Sequence, residues 1–343
     1  MVTIKDVARV AGVSPSTVSR VVRGQGKVGK KCRAKVQKII EEMGYRPNTN
    51  ARALVSQRAE LVGIVTPALH KPFFGSIAFG AEKASRLTSY QVMMRNSQND
   101  PDLEVDAINS LREHGCENMI LHSKFGDADT LKSLADKIPG LVFINRFLPE
   151  MASRCVWLDN VSGGRLAADY LFKQGHREMA IVSFNSNNED QIDRINGVKQ
   201  GLTARGLTLP EANIVLREDA GPDVNNMQEY CTHAVNELLS RDVSFTAIIA
   251  YNDEMAIGIM NALFDLGKNV PEDISVIGFD DLDIAQKCRP ALTTIHYPIV
   301  EMAEYATKLS LQMTLEKEEV IGRTHLFMPT IVERKSVKKI DVV

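Results

Sequence analysis

From Leu61 onward, short apolar runs alternate with amphipathic stretches, and this alternation limits the chain to one broad class of fold. The strand candidates are Leu61–Thr66, Gln91–Arg95, Asn118–His122, Leu141–Asn145, Val156–Asp159, Met179–Phe184, Ile214–Arg217, Ala247–Tyr251, Ser275–Phe279 and Thr294–Tyr297. Helical periodicity lies between them, near 75–89, 103–114, 127–137, 162–174, 190–206, 226–240, 253–267 and 299–317. A β-α alternation implies parallel sheets with helices on both faces. So many strands exceed one sheet of usual size, so two doubly wound subdomains are expected. In open α/β sheets, ligands sit at the carboxyl ends of strands near a switch point. Two such sheets facing each other would frame a cleft. The 343 residues suit two or three domains, and 44% hydrophobic residues suffice for a sizeable core.

The first 26 residues differ in texture and read as two short amphipathic helices around a tight turn. Thr3 can cap the first helix, with Asp6 as the reciprocal acid. Ile4, Val7, Ala8 and Ala11 form its apolar face. After Gly12-Val13, Ser14 is a good N-cap and Pro15 suits the first helical position. Val18, Val21 and Val22 form the buried stripe of the second helix. Pro15, Ser16, Thr17, Ser19, Arg20 and Arg23 stay outside that stripe. A helix whose exposed side is small, hydroxylic and basic can enter a major groove, contact phosphates and read base edges. A third helix is expected from about Lys30 to Met43, ended by Gly44. The segment Asn48 to Gln57 is a fair helix former too short to hold alone in water. It is either a plain linker or a helix that folds only when something docks on it, with Leu54 pointing at that partner.

Residues 1–58 carry thirteen Lys or Arg and three acids, a net charge of +10, while the whole chain is −2. A basic head on an acidic body implies a polyanion partner for the head. The five cysteines are widely spaced, and no Cys or His cluster has zinc spacing, so no metal is expected. No apolar run approaches the roughly twenty residues of a membrane span. The chain begins with a capped, charged helix rather than a secretory segment, so a cytoplasmic, nucleoid-associated location is expected.

The residues just past the strand ends are the candidates for contacting a ligand. They are Lys71-Pro72-Phe73-Phe74-Gly75, then Asn145 and Arg146, Asp159 and Asn160, Asn252 and Asp253, and Asp280 and Asp281. Arg194 sits about one turn into a helix. Carboxylates and amides can take vicinal hydroxyls, and an aromatic ring can cover the C–H face of a pyranose. The same Asp and Asn can equally be helix N-caps. Gly24 to Lys31 nearly matches a phosphate-binding loop, but Lys31 stands where the hydroxyl belongs and the segment follows a helix, not a strand. It reads as a basic connecting loop. No constellation for catalysis is present, and no cofactor is expected.

The motifs TIKDVARVAGVSPSTVSRVV, GYRPNTNARAL, YNDEMAIG and ISVIGFDD together resemble the lactose/galactose repressor family, in order from Thr3 to Val337. The narrower matches INRFLP, RCVWLDNVSGGR, LTTIHYPI and FMPTIVERKSV point to its galactose branch. The resemblance implies an all-α helix-turn-helix head at residues 1–46 and a hinge helix and linker at 47–59. It implies a core at 60–343 like periplasmic sugar-binding proteins. That core would divide into an N-subdomain of about 60–160 and 292–323 and a C-subdomain of about 161–291 and 324–343.

The resemblance also implies roles. Arg20 would read a guanine, and Pro15 and Ser16 occupy positions that vary with operator sequence. Thr3, Thr17, Ser19 and Asn48 would hold phosphates. Asn50, Ala51 and Leu54 would bring the hinge to the DNA, with Leu54 wedged into a minor-groove step. Phe73, Phe74, Asn145, Asp159, Arg194, Asn252 and Asp280 fall where family members contact their effector. At 219–226 the chain reads DAGPDVNN and lacks an aromatic ring that some members place there. The implied partners are double-stranded operator DNA, a small sugar effector and a second copy of the chain, with no membrane. The implied function is a repressor of transcription that a sugar such as galactose controls. The alternative is the same class of regulator answering to another sugar or to a purine co-repressor.

Overall fold

The computed structural model describes residues 2–22, 24, 26–46, 59–185, 188–217, 227–315 and 325–341. The chain forms two compact units, Met1–Ala59 and Glu60–Val343.

The first unit holds three helices, α1 (Ile4–Ala11), α2 (Pro15–Val22) and α3 (Lys30–Glu42). Thr3 and Asp6 form the expected capping box. The Thr3 Oγ1 accepts from the Asp6 N–H at 3.3 Å, and the Asp6 carboxylate accepts from the Thr3 N–H at 3.1 Å. Ser14 Oγ accepts the Thr17 N–H at 3.2 Å at the start of α2. Val7, Ala8, Ala11, Val18, Val21, Val36 and Ile39 make a small buried core among the three helices.

The second unit is built on two six-stranded sheets. The first uses β1 (Leu61–Thr66), β2 (Gln91–Asn96), β3 (Asn118–Leu121), β4 (Gly140–Ile144), β5 (Cys155–Leu158) and β11 (His325–Phe327), ordered β11-β5-β4-β3-β1-β2 and parallel throughout. The second uses β6 (Met179–Phe184), β7 (Ile214–Arg217), β8 (Ala247–Ala250), β9 (Ser275–Asp280), β10 (Thr293–His296) and β12 (Thr330–Val332), ordered β12-β10-β9-β8-β6-β7. Only its edge strand β12 runs antiparallel. In each sheet the order reverses beside the first strand, between β1 and β3 and between β6 and β8. Such reversals are the switch points where doubly wound folds bind ligands.

Strand alternation explains the layering. In the first sheet Val62, Ile64, Ile120 and Val142 pack with the helices Pro72–Ser85 and Ile299–Leu315, whereas Val65, Met119, Leu121 and Phe143 pack with Pro101–Glu113 and Ala128–Lys137. In the second sheet Met179 and Ile181 face the helices Asn160–Lys173 and Glu189–Thr203, and Ala180 and Val182 face Met227–Ser240 and Asp253–Asp265.

Two subdomain boundaries differ from expectation. Thr293–His296 pairs with β9 and so belongs to the second sheet, which moves the crossing from about 291 to the turn after His296. His325–Phe327 pairs with β5 in the first sheet, which moves the last crossing from about 324 to the residues between Phe327 and Thr330. In between, the helix Ile299–Leu315 packs on the helix Pro72–Ser85 and on β3 and β4. The chain leaves the first sheet after Leu158 and enters the helix Asn160–Lys173.

Candidate functional site

In the head, Thr3, Pro15, Ser16 and Arg20 are exposed, and Thr17 and Ser19 are half-buried. The hydroxyls of Ser16 and Thr17 lie 2.8 and 2.9 Å from that of Ser14, which ties them into one cluster at the N-terminus of α2. The aliphatic stem of Arg20 lies along Gly26, where an added Cβ would meet Arg20 Cδ at 3.3 Å. Lys27, Lys30 and Lys31, in the loop and at the start of α3, are exposed. Asn48, Asn50, Ala51 and Leu54, with residues 47–58 of the expected hinge and linker at 47–59, lie outside the described residues.

In the core, a cavity of about 180 Å³ opens at the carboxyl ends of both sheets. From the first sheet it takes Phe73 and Phe74 on the first turn of the helix Pro72–Ser85, His122 and Lys124 after β3, and Asn145 after β4. From the second sheet come Asp190 and Arg194 on the helix Glu189–Thr203, Tyr251 and Asn252 after β8, and Asp280 at the end of β9. The five non-glycine residues with positive φ among those described (Gln98, Asn99, Asn145, Asp280 and Asp281) all lie at or just past a strand's carboxyl end. Left-handed backbone costs of order 1–3 kcal/mol and persists where surrounding structure enforces it, commonly at binding sites.

A polar network crosses the cleft. Lys124 Nζ lies 2.7 Å from Asp190 Oδ2 and also donates to the Asn145 carbonyl. Asn145 Nδ2 donates to Asp190 Oδ2 at 3.0 Å and faces His122 Nε2 at 3.2 Å. The Tyr297 hydroxyl donates to Asn145 Oδ1. Arg194 donates Nε to Asn160 Oδ1 at 2.9 Å and Nη1 to the Tyr251 carbonyl at 2.7 Å. Its guanidinium stacks on Phe279, 3.6 Å from the ring centroid. Phe73, Phe74, His122 and Tyr297 pack edge to face at 5.1 to 6.2 Å between ring centroids.

Burial and charge set the protonation states. Burial, reinforced by the Lys124 ammonium, drives the His122 pKa down to about 3, so its imidazole is neutral at physiological pH. Its Nδ1 is buried and has no hydrogen-bond partner. Burial opposes ionisation of Asp190, but Lys124 and Arg194 together hold its carboxyl below the usual range. At Asp280 burial wins over Arg194 and pushes the carboxyl well up.

Six of the seven residues expected at the effector site line this cavity. Asp159 does not. Its carboxylate accepts from the Ser162 N–H at 2.8 Å and from the Ser162 hydroxyl at 2.7 Å, so it caps the helix Asn160–Lys173. Asn252 does both jobs, since its Oδ1 caps the helix Asp253–Asp265 through the Met255 N–H at 2.9 Å. His122, Lys124 and Asp190 were missed. The end-of-strand rule that selected Asn145 applies equally to the residues after β3 and would have found the first two. The segment 219–226 lies outside the described residues. Among the described residues no group of His, Cys, Asp and Glu could hold a metal ion.

A basic helix-turn-helix head and a two-sheet core with a polar cleft at both switch points together define a class of ligand-binding, DNA-contacting regulators. Residues 3–48 match the model of bacterial regulatory proteins of the lacI family, and residues 168–337 match a periplasmic binding protein-like domain. The HTH-type transcriptional regulator GalS of Salmonella typhimurium is 40% identical over 337 residues, 98% of this chain and 97% of the relative. GalR of Escherichia coli is 39% identical over 338 residues, covering 98% and 96%. The chain belongs to the lacI family of bacterial regulators. Among solved structures, a transcriptional regulator CelR–cellobiose complex aligns with a TM-score of 0.70 at 26% identity, over 98% of this chain and 100% of that one. The lac repressor dimer bound to operator and the anti-inducer ONPF shares the fold with a TM-score of 0.83 at 24% identity, over 98% and 99% of the two chains.

Proposed function

We propose that this chain is a sequence-specific transcriptional repressor whose operator affinity is set by a small sugar, galactose or a relative, held in the cleft. The observation that carries this reading is the cavity of about 180 Å³ at the two switch points, where carboxyl groups, amides and a neutral imidazole converge beside aromatic edges. That volume lies below the roughly 300–1,000 Å³ of sites for drug-sized molecules, and the donor set matches a polyhydroxyl compound.

The mechanism follows from a two-state core. The regulator acts in the cytoplasm, on the nucleoid, as a homodimer whose two heads occupy half-sites of a near-palindromic operator. Thr3, Thr17, Ser19 and Asn48 hold phosphates, Arg20 reads a guanine, and Pro15 and Ser16 face bases that vary between operators. Asn50 and Ala51 belong to the hinge segment that folds on the DNA, and Leu54 enters the minor groove. In the core, Phe73, Phe74, Asn145, Arg194, Asn252 and Asp280 contact the sugar. The sugar favours a core geometry that separates the hinges, and DNA is released. A coupling of about 1–3 kcal/mol gives a roughly 5–150-fold change in DNA affinity.

The test is a gel-shift titration of operator DNA with and without D-galactose, alongside calorimetry with hexoses, pentoses and purines. Salt-sensitive DNA binding that galactose weakens is the expected result. Operator binding that no hexose alters, or that a purine strengthens, would replace the sugar with another effector.

A further inference from the structure

Three cations line the cleft among the described residues, and each has a carboxyl group beside it. Burial pushes the Asp280 carboxyl well up, so Arg194 is held by its hydrogen bonds and by Phe279 rather than by a carboxylate charge. Lys71 Nζ lies 3.6 Å from Glu254 Oε2, Arg194 Nη2 lies 3.8 Å from Asp280 Oδ1, and Lys124 Nζ lies 2.7 Å from Asp190 Oδ2. The last pair is the tightest of the three and is enclosed, with side chains only 10% and 8% exposed. Asp190 is further saturated by Asn145 Nδ2 at 3.0 Å and Asn160 Nδ2 at 3.2 Å. Arg194 presents no open fork. Its Nε and Nη1 are committed to Asn160 and to the Tyr251 carbonyl, and Phe279 covers its plane. His122, neutral at physiological pH, adds a donor but no charge.

A phosphate or carboxylate needs an unpaired cation or a free guanidinium fork to offset its desolvation. In this cleft Asp190 takes the Lys124 ammonium, Glu254 faces Lys71 and Arg194 offers no open fork. An anion near Lys124 would therefore lie against the Asp190 carboxylate in a medium where charge interactions are strong. Hydroxyl groups carry no such cost, because each can donate to a carboxylate and accept from an amide or imidazole.

We propose that Asp190, by occupying Lys124 from within the chain, makes the cleft select uncharged polyhydroxyl ligands and reject phosphorylated or carboxylated sugars. Asp190 acts as an internal anion in the place that an anionic ligand would need. This proposal rests on reading the cleft as a sugar site. Specificity here comes from a repulsive element as well as from attractive ones.

The test uses the full chain and the variant Asp190→Asn, which keeps the side chain's shape and frees the Lys124 ammonium. Calorimetry would be run with D-galactose, D-galacturonate, D-galactose 1-phosphate and inorganic phosphate. The wild type should take galactose and none of the three anions. Asp190→Asn should gain about tenfold or more in affinity for inorganic phosphate and galacturonate, and adding Lys124→Met should abolish the gain. Asp190→Ser, which opens the same ammonium without an amide, should gain likewise and guards against a folding defect in the first variant. Two folded variants with no gain over wild type would overturn the proposal, as would wild type binding the anions as tightly as galactose. The phosphate arm is independent of the sugar. A wild type that binds no neutral sugar, beside variants that gain phosphate, would support the charge pairing and remove the sugar reading.

Discussion

Asp253 fastens the far wall of the cleft without touching the cavity. It is fully buried, and its carboxyl accepts the Leu282 N–H at 2.7 Å and the Thr294 hydroxyl at 2.5 Å. This grip fixes the turn that carries Asp280 and Asp281 in left-handed backbone. Burial raises its pKa from 3.8 to about 7, more than its two hydrogen bonds lower it. The folded state therefore binds a proton more tightly than the unfolded chain. This contribution to stability is full below about pH 4, falls as pH rises through the window, and is gone above about 7. Asp253→Asn mimics the protonated form and removes the titration. Wild-type stability minus that of the variant should fall between about pH 4 and pH 7, by roughly 1.4 kcal/mol per pH unit at most, measured by urea unfolding. Parallel profiles would count against a raised carboxyl. Local reading of the sequence found Asn145, Arg194 and Asp280 because strand ends and helix starts are local features. It could not separate Asp159 from them, since cap and ligand demand the same residue types in the same place.

The helices Asn160–Lys173 and Glu189–Thr203 touch through glycine. A Cβ at Gly164 would lie 2.0 Å from the Arg194 carbonyl oxygen, and one at Gly197 would lie 2.0 Å from that of Val161. Backbone cannot yield there as a flexible side chain could, so only glycine permits this approach. The approach matters because it brings Asn160 to Arg194 and Asp190. Gly197→Ala should destabilise the core by about 1–3 kcal/mol or more and weaken binding of D-galactose, read by thermal melting and calorimetry on the same sample. Unchanged stability would mean that the helices can part without loss. The strands β11 and β12 escaped the sequence reading because three-residue edge strands carry too little alternation to register. Their omission also misplaced the last crossing between subdomains, since pairing with β5 and β10 is what assigns each to its sheet.

Charge is divided along the whole chain, +10 over residues 1–58 against −2 overall. A head of that charge should bind DNA with an affinity that falls steeply as salt rises, while the acidic remainder limits contact elsewhere. Leu54 tests the link between DNA grip and ligand binding. Leu54→Ala should weaken operator binding and leave D-galactose affinity unchanged, because the role proposed for Leu54 is at the DNA and not in the cleft. A gel shift and a calorimetric titration measure the two separately. An unaltered operator affinity would remove the wedge from the mechanism.

The sequence by itself determined the helix-turn-helix head, the β-α alternation, the two-sheet class and part of the cleft's lining. These follow from caps, periodicity and charge, which act within a few residues along the chain. The tertiary structure alone decided that Asp190 meets Lys124, that Asp159 stays a cap, and that Thr293–His296 joins the second sheet. The first and the last join segments far apart in sequence, and only packing brings such segments together. The Asp159 cap is a local contact, and what the tertiary structure decided there is that the cavity is lined by other residues.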